Sequence, residues 1–88
     1  PALRRDISVL VPASLPYADI QQAIISHGSD LETHWLFDVY EGKGVPEGHR
    51  SLAIALVFRK EGNFTDEEGN AARDAIVDAL TGLGATLR

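Results

Sequence analysis

Cysteine and methionine are both absent from this 88-residue sequence. Without cysteine the chain can form no disulfide and no thiolate metal site, so a cytoplasmic location is expected, with an organellar one as the alternative. No apolar run approaches the roughly 20 residues of a membrane-spanning helix, so no membrane partner is expected. A chain that opens at Pro1 and lacks methionine is expected to be one domain, residues 1–88, of a longer protein.

Residues that could support catalysis or bind a metal are few and poorly spaced. The three histidines share no metal-ligand spacing, so no metal site is expected; they are His27, His34 and His49. The acids at 66–68 suit a helix N-terminus better than paired acid–base catalysis. The glycines of the segment 42–48 precede no GK[ST] sequence, which excludes a phosphate-binding loop of that type. The domain is therefore expected to be noncatalytic by itself.

Charge is unevenly distributed along the chain. The net charge is −5, which argues at first against nucleic acid, because affinity for phosphates rests mainly on Lys and Arg. Five acids, however, lie within Thr65–Leu80, whereas seven of the eight Lys and Arg residues lie outside it. This pattern predicts one acidic and one basic face.

Alternating apolar residues predict four strands. "RDISVLV", from Arg5 to Val11, is rich in β-branched residues and ends at Pro12. The segments 31–41 and 49–60 alternate in the same way and should pair antiparallel across the loop "GKGVPEG". The closing "GATLR" is short and is predicted to be a last strand.

Two segments have helical spacing. A helix should begin near Pro16 and end at Gly28, because proline is tolerated in a first turn and glycine favours a stop. A second helix should begin at the capping box "TDEE", 65–68, and end at Gly82 or Gly84. Its predicted buried stripe is Ala72, Ala75, Ile76, Ala79 and Leu80.

The resulting order is strand, helix, strand, strand, helix, strand. This order predicts an α+β, ferredoxin-like βαββαβ sandwich, in which two helices cover one face of a four-stranded antiparallel sheet. Right-handed crossovers place the first and third strands in the centre of the sheet. The other face, here called the open face, should lack a helix layer.

Successive residues of a strand point to opposite faces of the sheet, and this alternation assigns the side chains to the two faces. The residues predicted to face the helices are Ile7, Val9, Val11, Trp35, Phe37, Val39, Leu52, Ile54, Leu56, Phe58, Ala85 and Leu87. Those predicted on the open face include Ser8, His34, Leu36, Asp38, Tyr40, Ser51, Ala53, Ala55 and Arg88. The small residues would let a flat ligand approach, Tyr40 could stack on it, and Asp38 could accept paired N–H groups. Solvent exposure alone also explains such a face.

Five motifs in order resemble one known family across nearly all 88 residues: "RRDISVLVP", "LFDVYEG", "PEGHRSLAIALVFR", "TDEE" and "GATLR". They resemble the ferredoxin-fold anticodon-binding domain found at the C-terminus of the phenylalanyl-tRNA synthetase β subunit. The chain departs from the family at Gly69, inside the second helix, where glycine should cost roughly 1 kcal/mol relative to alanine. Its net charge of −5 suits a domain whose affinity for RNA depends on the rest of a large enzyme.

The resemblance implies binding to the anticodon stem-loop of phenylalanine tRNA. It implies that Asp38 contacts a base, that Tyr40 is the accompanying aromatic, and that Ser51 and Arg88 belong to the same site. Lys43 and Arg50 are plausible phosphate contacts. No cofactor is expected in this domain, whereas ATP and Mg are expected for the parent ligase. Its partners would be the remainder of the synthetase, including an α subunit if it is bacterial.

Two other functions share this strand order. A small-ligand regulatory domain that binds amino acids at a subunit interface remains an alternative, and it predicts dimerisation. An acylphosphatase-like enzyme needs an arginine on the loop after the first strand, and "PASLPYAD" offers none. Fold alone does not choose among these functions.

Overall fold

Six elements follow the predicted order along the chain. The computed structural model describes all 88 residues, Pro1–Arg88. The elements are β1 (Leu3–Pro12), α1 (Tyr17–His27), β2 (Leu31–Tyr40), β3 (His49–Phe58), α2 (Asp66–Thr81) and β4 (Thr86–Leu87). All strand pairs are antiparallel and the strand order is β2-β3-β1-β4. The ferredoxin-like sandwich, with β1 and β3 in the centre of the sheet, is thus confirmed.

The core lies between the sheet and the two helices. The predicted alternation of side chains is confirmed on β1 and β3, where the residues predicted to face the helices are almost completely buried. They form one cluster with two isoleucines of α1 and with Ile76 and Leu80 of α2. Each fully buried side chain of this size contributes about 1.5–3 kcal/mol, so this cluster is the main source of stability. Neither helix is long and apolar enough to cross a lipid bilayer.

The ends of α1 match the sequence signals. Pro16 is the N-cap residue, with extended backbone, and its carbonyl accepts hydrogen bonds from the amides of Asp19 and Ile20. The helix ends at Gly28, as predicted. A Cβ atom at Gly28 would lie 2.8 Å from side-chain atoms of Leu31. Glycine therefore allows β2 to begin close to the end of α1.

Both ends of α2 have defined caps. The capping box is confirmed: the Glu68 amide donates to the Thr65 hydroxyl at 3.0 Å, and the Thr65 amide donates to the Glu68 carboxylate at 2.9 Å. At the other end the amides of Gly84 and Ala85 donate back to the carbonyls of Thr81 and Leu80. These two bonds, with Gly84 at φ +101, form a Schellman motif. Gly84 is thus the glycine whose conformation ends the helix.

The buried stripe of α2 differs in detail from the prediction. Ile76 and Leu80 are buried as expected, but Ala75 is exposed. Gly69 is buried, and a Cβ atom there would lie 2.5 Å from a methyl group of Leu3 and 2.9 Å from the guanidinium of Arg5. The glycine that breaks the helix-favouring pattern therefore lies at a close approach of α2 to β1, where a Cβ atom would not fit.

The pairing of β2 with β3 is interrupted twice, and each interruption changes which side chains face the helices. Leu36 pairs with Ile54, but Asp38 pairs with Ala53, so Phe37 has no partner and forms a β-bulge. A bulge shifts the alternation of side chains by one residue. Leu31, before the first interruption, pairs with Phe58 and faces the helices; between the two interruptions the even-numbered residues face them, and after Phe37 the odd-numbered residues do.

The predicted alternation of side chains is consequently wrong for residues 34–37 of β2. The predicted core residue Trp35 pairs with Ala55 on the open face and is 41% exposed. Phe37, also predicted to be buried, is 48% exposed. Conversely, Leu36 packs against the core and His34 pairs with Leu56, so both side chains face the helices rather than the open face.

After the bulge the predictions are confirmed. Asp38 and Tyr40 pair with Ala53 and Ser51, which place them on the open face. Val39 pairs with the buried Leu52 and so lies on the helix side as predicted, but it is 49% exposed and does not enter the core. The open face is less bare than expected. Its Ala55 is completely buried, beneath the side chains of neighbouring strands.

The capping box generates a stability prediction. Thr65→Ala removes the acceptor for the Glu68 amide, and we expect the free energy of unfolding to fall by about 1 kcal/mol. Urea unfolding monitored by circular dichroism measures the change. The matched control is Thr81→Ala at the other end of α2, where the hydroxyl bonds only to the Val77 carbonyl of its own helix. Equal losses in both variants would contradict a capping role.

Glu68 generates a pH prediction. Hydrogen bonds from Lys60 and then from the Thr65 backbone lower the pKa of Glu68 below its ordinary value of 4.5. A carboxyl with a lowered folded-state pKa stabilises the fold above its ordinary pKa, and this contribution is lost as the pH falls through the folded pKa. Between about pH 7 and about pH 3, the parent chain should therefore lose more unfolding free energy than Glu68→Gln, in which no charge titrates.

The control for this comparison is Glu67→Gln. Glu67 lies in the same first turn of α2 but forms no ion pair. Glu67→Gln removes the same charge from the same turn but leaves the contacts of Glu68 intact. A change in the pH dependence of urea unfolding as large as that of Glu68→Gln would contradict a specific role of those contacts. A Glu68→Gln profile parallel to the parent profile would show that the carboxyl of Glu68 does not stabilise the fold.

Candidate nucleic-acid interface

Two cross-strand rows bring the predicted site residues to one end of the open face. Tyr40 pairs with Ser51, which pairs with Leu10. Asp38 pairs with Ala53, which pairs with Ser8, and the Ser8 carbonyl accepts the Arg88 amide at 2.8 Å. Neighbouring strands lie about 4.8 Å apart, so successive members of a row are close, whereas the backbones of Asp38 and Arg88, at the two edges of the sheet, are about 14 Å apart. We call Asp38, Tyr40, Ser51 and Arg88 the open-face patch.

The ring of Tyr40 is held by the loop that follows it. Its hydroxyl donates to the Lys43 carbonyl at 2.8 Å, and the residue is 40% exposed. Gly42 turns the chain back towards the ring with φ +127, and a Cβ atom at Gly42 would lie 3.5 Å from the tyrosine oxygen. The loop thus fixes Tyr40 while leaving part of it open to a ligand, which suits a stacking residue.

Arg88 reaches the same loop from the opposite edge of the sheet. Its Nη2 atom lies 3.8 Å from the position of a Cβ atom at Gly44, where φ is +88. The guanidinium of Arg88 and the ring of Tyr40 therefore approach the same loop segment, 42–44. This proximity supports the prediction that both residues belong to one site.

Asp38 and Ser51 differ in how accessible their side chains are to a ligand. Asp38 is exposed and forms no ion pair with any cation of the chain. Its carboxylate is therefore free to accept hydrogen bonds from a ligand. Ser51 is on the open face as predicted but only 7% exposed. A ligand can touch it only by lying close to the sheet, which the neighbouring Ala53 permits.

The cations of the chain divide into paired and unpaired groups. Arg4, Arg5, Arg59, Lys60 and Arg73 form ion pairs with acids. The three without an ion pair are the three basic residues selected from the sequence: Lys43, Arg50 and Arg88. Cations that are not neutralised by the protein remain available for phosphate.

Arg50 lies apart from the other two unpaired cations. It pairs with Val11, which faces the helices, so Arg50 is on the helix side of the sheet. Its Nη2 atom donates to the Leu15 carbonyl at 3.2 Å, and its Nε atom is buried without a partner. The structure therefore does not bring Arg50 to the open-face patch, and its contact with Leu15 holds the loop between β1 and α1.

Sequence reasoning missed a group of residues on the same face. The Cζ atom of Arg4 lies 5.1 Å from the centre of the Trp35 ring and 5.7 Å from the centre of the Phe37 ring. Arg4 also forms a two-point ion pair with Asp6. No glycine or proline lies within β2 to signal the bulge that exposes these rings. We call Arg4, Trp35 and Phe37 the aromatic–arginine cluster.

Acids are concentrated on the opposite side of the molecule. Five of them lie on α2, in the helix layer, away from the open face. A surface cavity of about 380 Å³ beside the loop 41–48 is lined in part by Glu41, Glu47 and His49. Its two acids make it a poor place for phosphate. The open-face patch is therefore the better candidate for a nucleic-acid contact.

Comparison with known proteins gives a consistent result. A model of the ferredoxin-fold anticodon binding domain matches residues 1–88. The chain is 44% identical over 91 aligned positions to the phenylalanine–tRNA ligase beta subunit of Acinetobacter baylyi, covering 100% of this chain and 12% of that protein. It is 47% identical to the same subunit of Moorella thermoacetica, covering 100% of this chain and 11% of that protein.

The chain spans only about a tenth of the length of these relatives. The family model, in contrast, covers every residue of the six elements described above. This chain belongs to the ferredoxin-fold anticodon binding domain family.

Proposed function

We propose that this chain binds the anticodon stem-loop of phenylalanine tRNA through the open-face patch. One observation carries the proposal: in a member of this family, the free carboxylate of Asp38, the fixed ring of Tyr40 and the unpaired guanidinium of Arg88 gather at one end of the helix-free face. These groups are complementary to N–H donors, base faces and phosphates respectively.

Each residue has a distinct role in this proposal. Tyr40 stacks on an unpaired base of the loop, and Asp38 accepts the two N–H groups on the Watson–Crick edge of guanine, the first anticodon base of phenylalanine tRNAs. Ser51 and Arg88 hold the loop, and Lys43 contacts phosphate. Arg50 is left out of this contact set, because its guanidinium bonds to the Leu15 carbonyl on the helix side.

We further propose that the chain acts within a phenylalanine–tRNA ligase. The names of its relatives support this, and the domain would contribute tRNA recognition while aminoacylation takes place elsewhere in the assembly. ATP and Mg would bind to that other part. The remainder of the synthetase, with an α subunit in a bacterial enzyme, would be its protein partner, and the location would be cytoplasmic.

Asp38→Ala tests the reading role. We expect it to weaken binding to the phenylalanine anticodon hairpin by about 1–3 kcal/mol, and to weaken binding to a hairpin with the first anticodon base changed to adenine much less. Anisotropy of fluorescein-labelled hairpins, titrated with the chain at fixed salt, measures both affinities. Removing an acid reduces repulsion of RNA, so a loss of affinity must come from a specific contact.

Asp78→Ala is the control, since it makes the same charge change on α2, in the helix layer. It should leave both affinities equal to or slightly tighter than those of the parent chain. Equal losses for the two hairpins on Asp38→Ala would refute the reading role. Dimerisation with stabilisation by an amino acid, and no hairpin binding, would favour a regulatory domain instead.

Tyr40→Ala and Tyr40→Phe together test stacking. Base–aromatic stacking is worth about 1–3 kcal/mol and tolerates any base, so Tyr40→Ala should weaken the cognate and altered hairpins by similar factors. Tyr40→Phe keeps the ring and loses only the bond to the Lys43 carbonyl, so it should retain most of the affinity. The same titration gives both values. Parent-like binding by Tyr40→Ala would remove the stacking role.

A further inference from the structure

The aromatic–arginine cluster leaves two rings partly in water. Trp35 is 41% exposed and Phe37 is 48% exposed. Aromatic side chains bury about 150–250 Å² each when fully covered, so their exposure forgoes considerable stabilisation. Exposed aromatic rings beside an arginine are typical of binding surfaces. Neither ring belongs to the open-face patch.

The two rings pack against other side chains of the open face. The guanidinium of Arg4 lies over both of them, and Asp6 fixes that guanidinium with contacts of 2.8 and 3.4 Å. Trp35 also lies across from the completely buried Ala55. A ring that already packs against neighbouring side chains loses less conformational entropy than a free ring when a ligand stacks on it.

The cluster continues the open-face patch along one strand. The bulge places Phe37 next to Asp38, and Trp35 lies about 15 Å from Tyr40 along β2. Four-stranded sheets that bind single-stranded RNA commonly stack two or three bases on aromatic residues of one face. A bound RNA loop that continues from the open-face patch along β2 would therefore meet Phe37 and Trp35.

We propose that Trp35 and Phe37 form a second base-stacking subsite, which receives a nucleotide neighbouring the one that Asp38 reads. Arg4, itself paired with Asp6, packs over both rings and positions them. This inference rests on the proposed function and deepens it, because it adds a stretch of RNA that the open-face patch does not reach.

The chemistry of the face favours RNA over a protein partner. Protein interfaces are organised around a close-packed apolar core. Between the cluster and Tyr40 the open face offers Asp38, Ala53 and Ser8 instead, of which Asp38 and Ser8 are polar and exposed. Flat bases stack on rings and on guanidinium planes without needing such a core.

The single tryptophan of the chain makes the subsite directly observable. Adding the unlabelled phenylalanine anticodon hairpin should quench Trp35 emission with the same midpoint as the anisotropy of the labelled hairpin. Trp35→Leu keeps an apolar cover over Ala55 but has no ring, and should raise Kd at least about fivefold. Trp35→Phe restores a ring and should recover most of the affinity.

Ile25→Ala is the control, because Ile25 is a 56% exposed apolar residue of α1 in the helix layer. It should bind the hairpin like the parent chain. Unchanged tryptophan emission, together with parent-like affinity of Trp35→Leu, would overturn the inference and leave the cluster to a protein partner. If Asp38→Ala still weakens binding in that case, the proposed function stands. If the chain without substitutions binds no hairpin, both proposals are wrong.

Discussion

The register of β2 against β3 determines what the open face presents. Each pair of this ladder fixes the face of one β2 side chain, and a shift of one residue moves every later side chain to the opposite face. The bulge at Phe37 makes such a shift once, within the motif that carries the proposed contacts. It lets Leu36 enter the core and still places Phe37 and Asp38 together on the open side.

The distribution of charge follows from the same two-layer arrangement. A chain with net charge −5 approaches RNA more readily when most of its acids lie away from the contact surface. The acids of α2 lie across the sheet, and screening lengths at physiological salt are about 8 Å, so their field is weak at the open face. Lys43 and Arg88 remain unpaired at the loop end of that face, whereas Arg4 and Arg59 are neutralised by acids.

Much of this arrangement could be predicted from the sequence, since it depends on local chemistry. The capping box at Thr65, the stop at Gly28 and the alternation on β1 and β3 each have a direct physical cause in neighbouring residues. Asp38 and Tyr40 were placed correctly because they lie after the bulge. Trp35, Phe37, Leu36 and His34 lie at or before it, and no glycine or proline marks its position. The place of Gly69 depends on a contact with Leu3, far away in sequence, which no local pattern reveals.

The central claim is that the open face, and not the helix layer, meets the anticodon loop. Amide chemical-shift mapping of the ¹⁵N-labelled chain during titration with the phenylalanine anticodon hairpin tests it most directly. The account predicts that the largest perturbations fall within 35–44, at Ser51 and Ala53, and at 86–88. Perturbations centred on α1 and α2, with β2 unaffected, would contradict it.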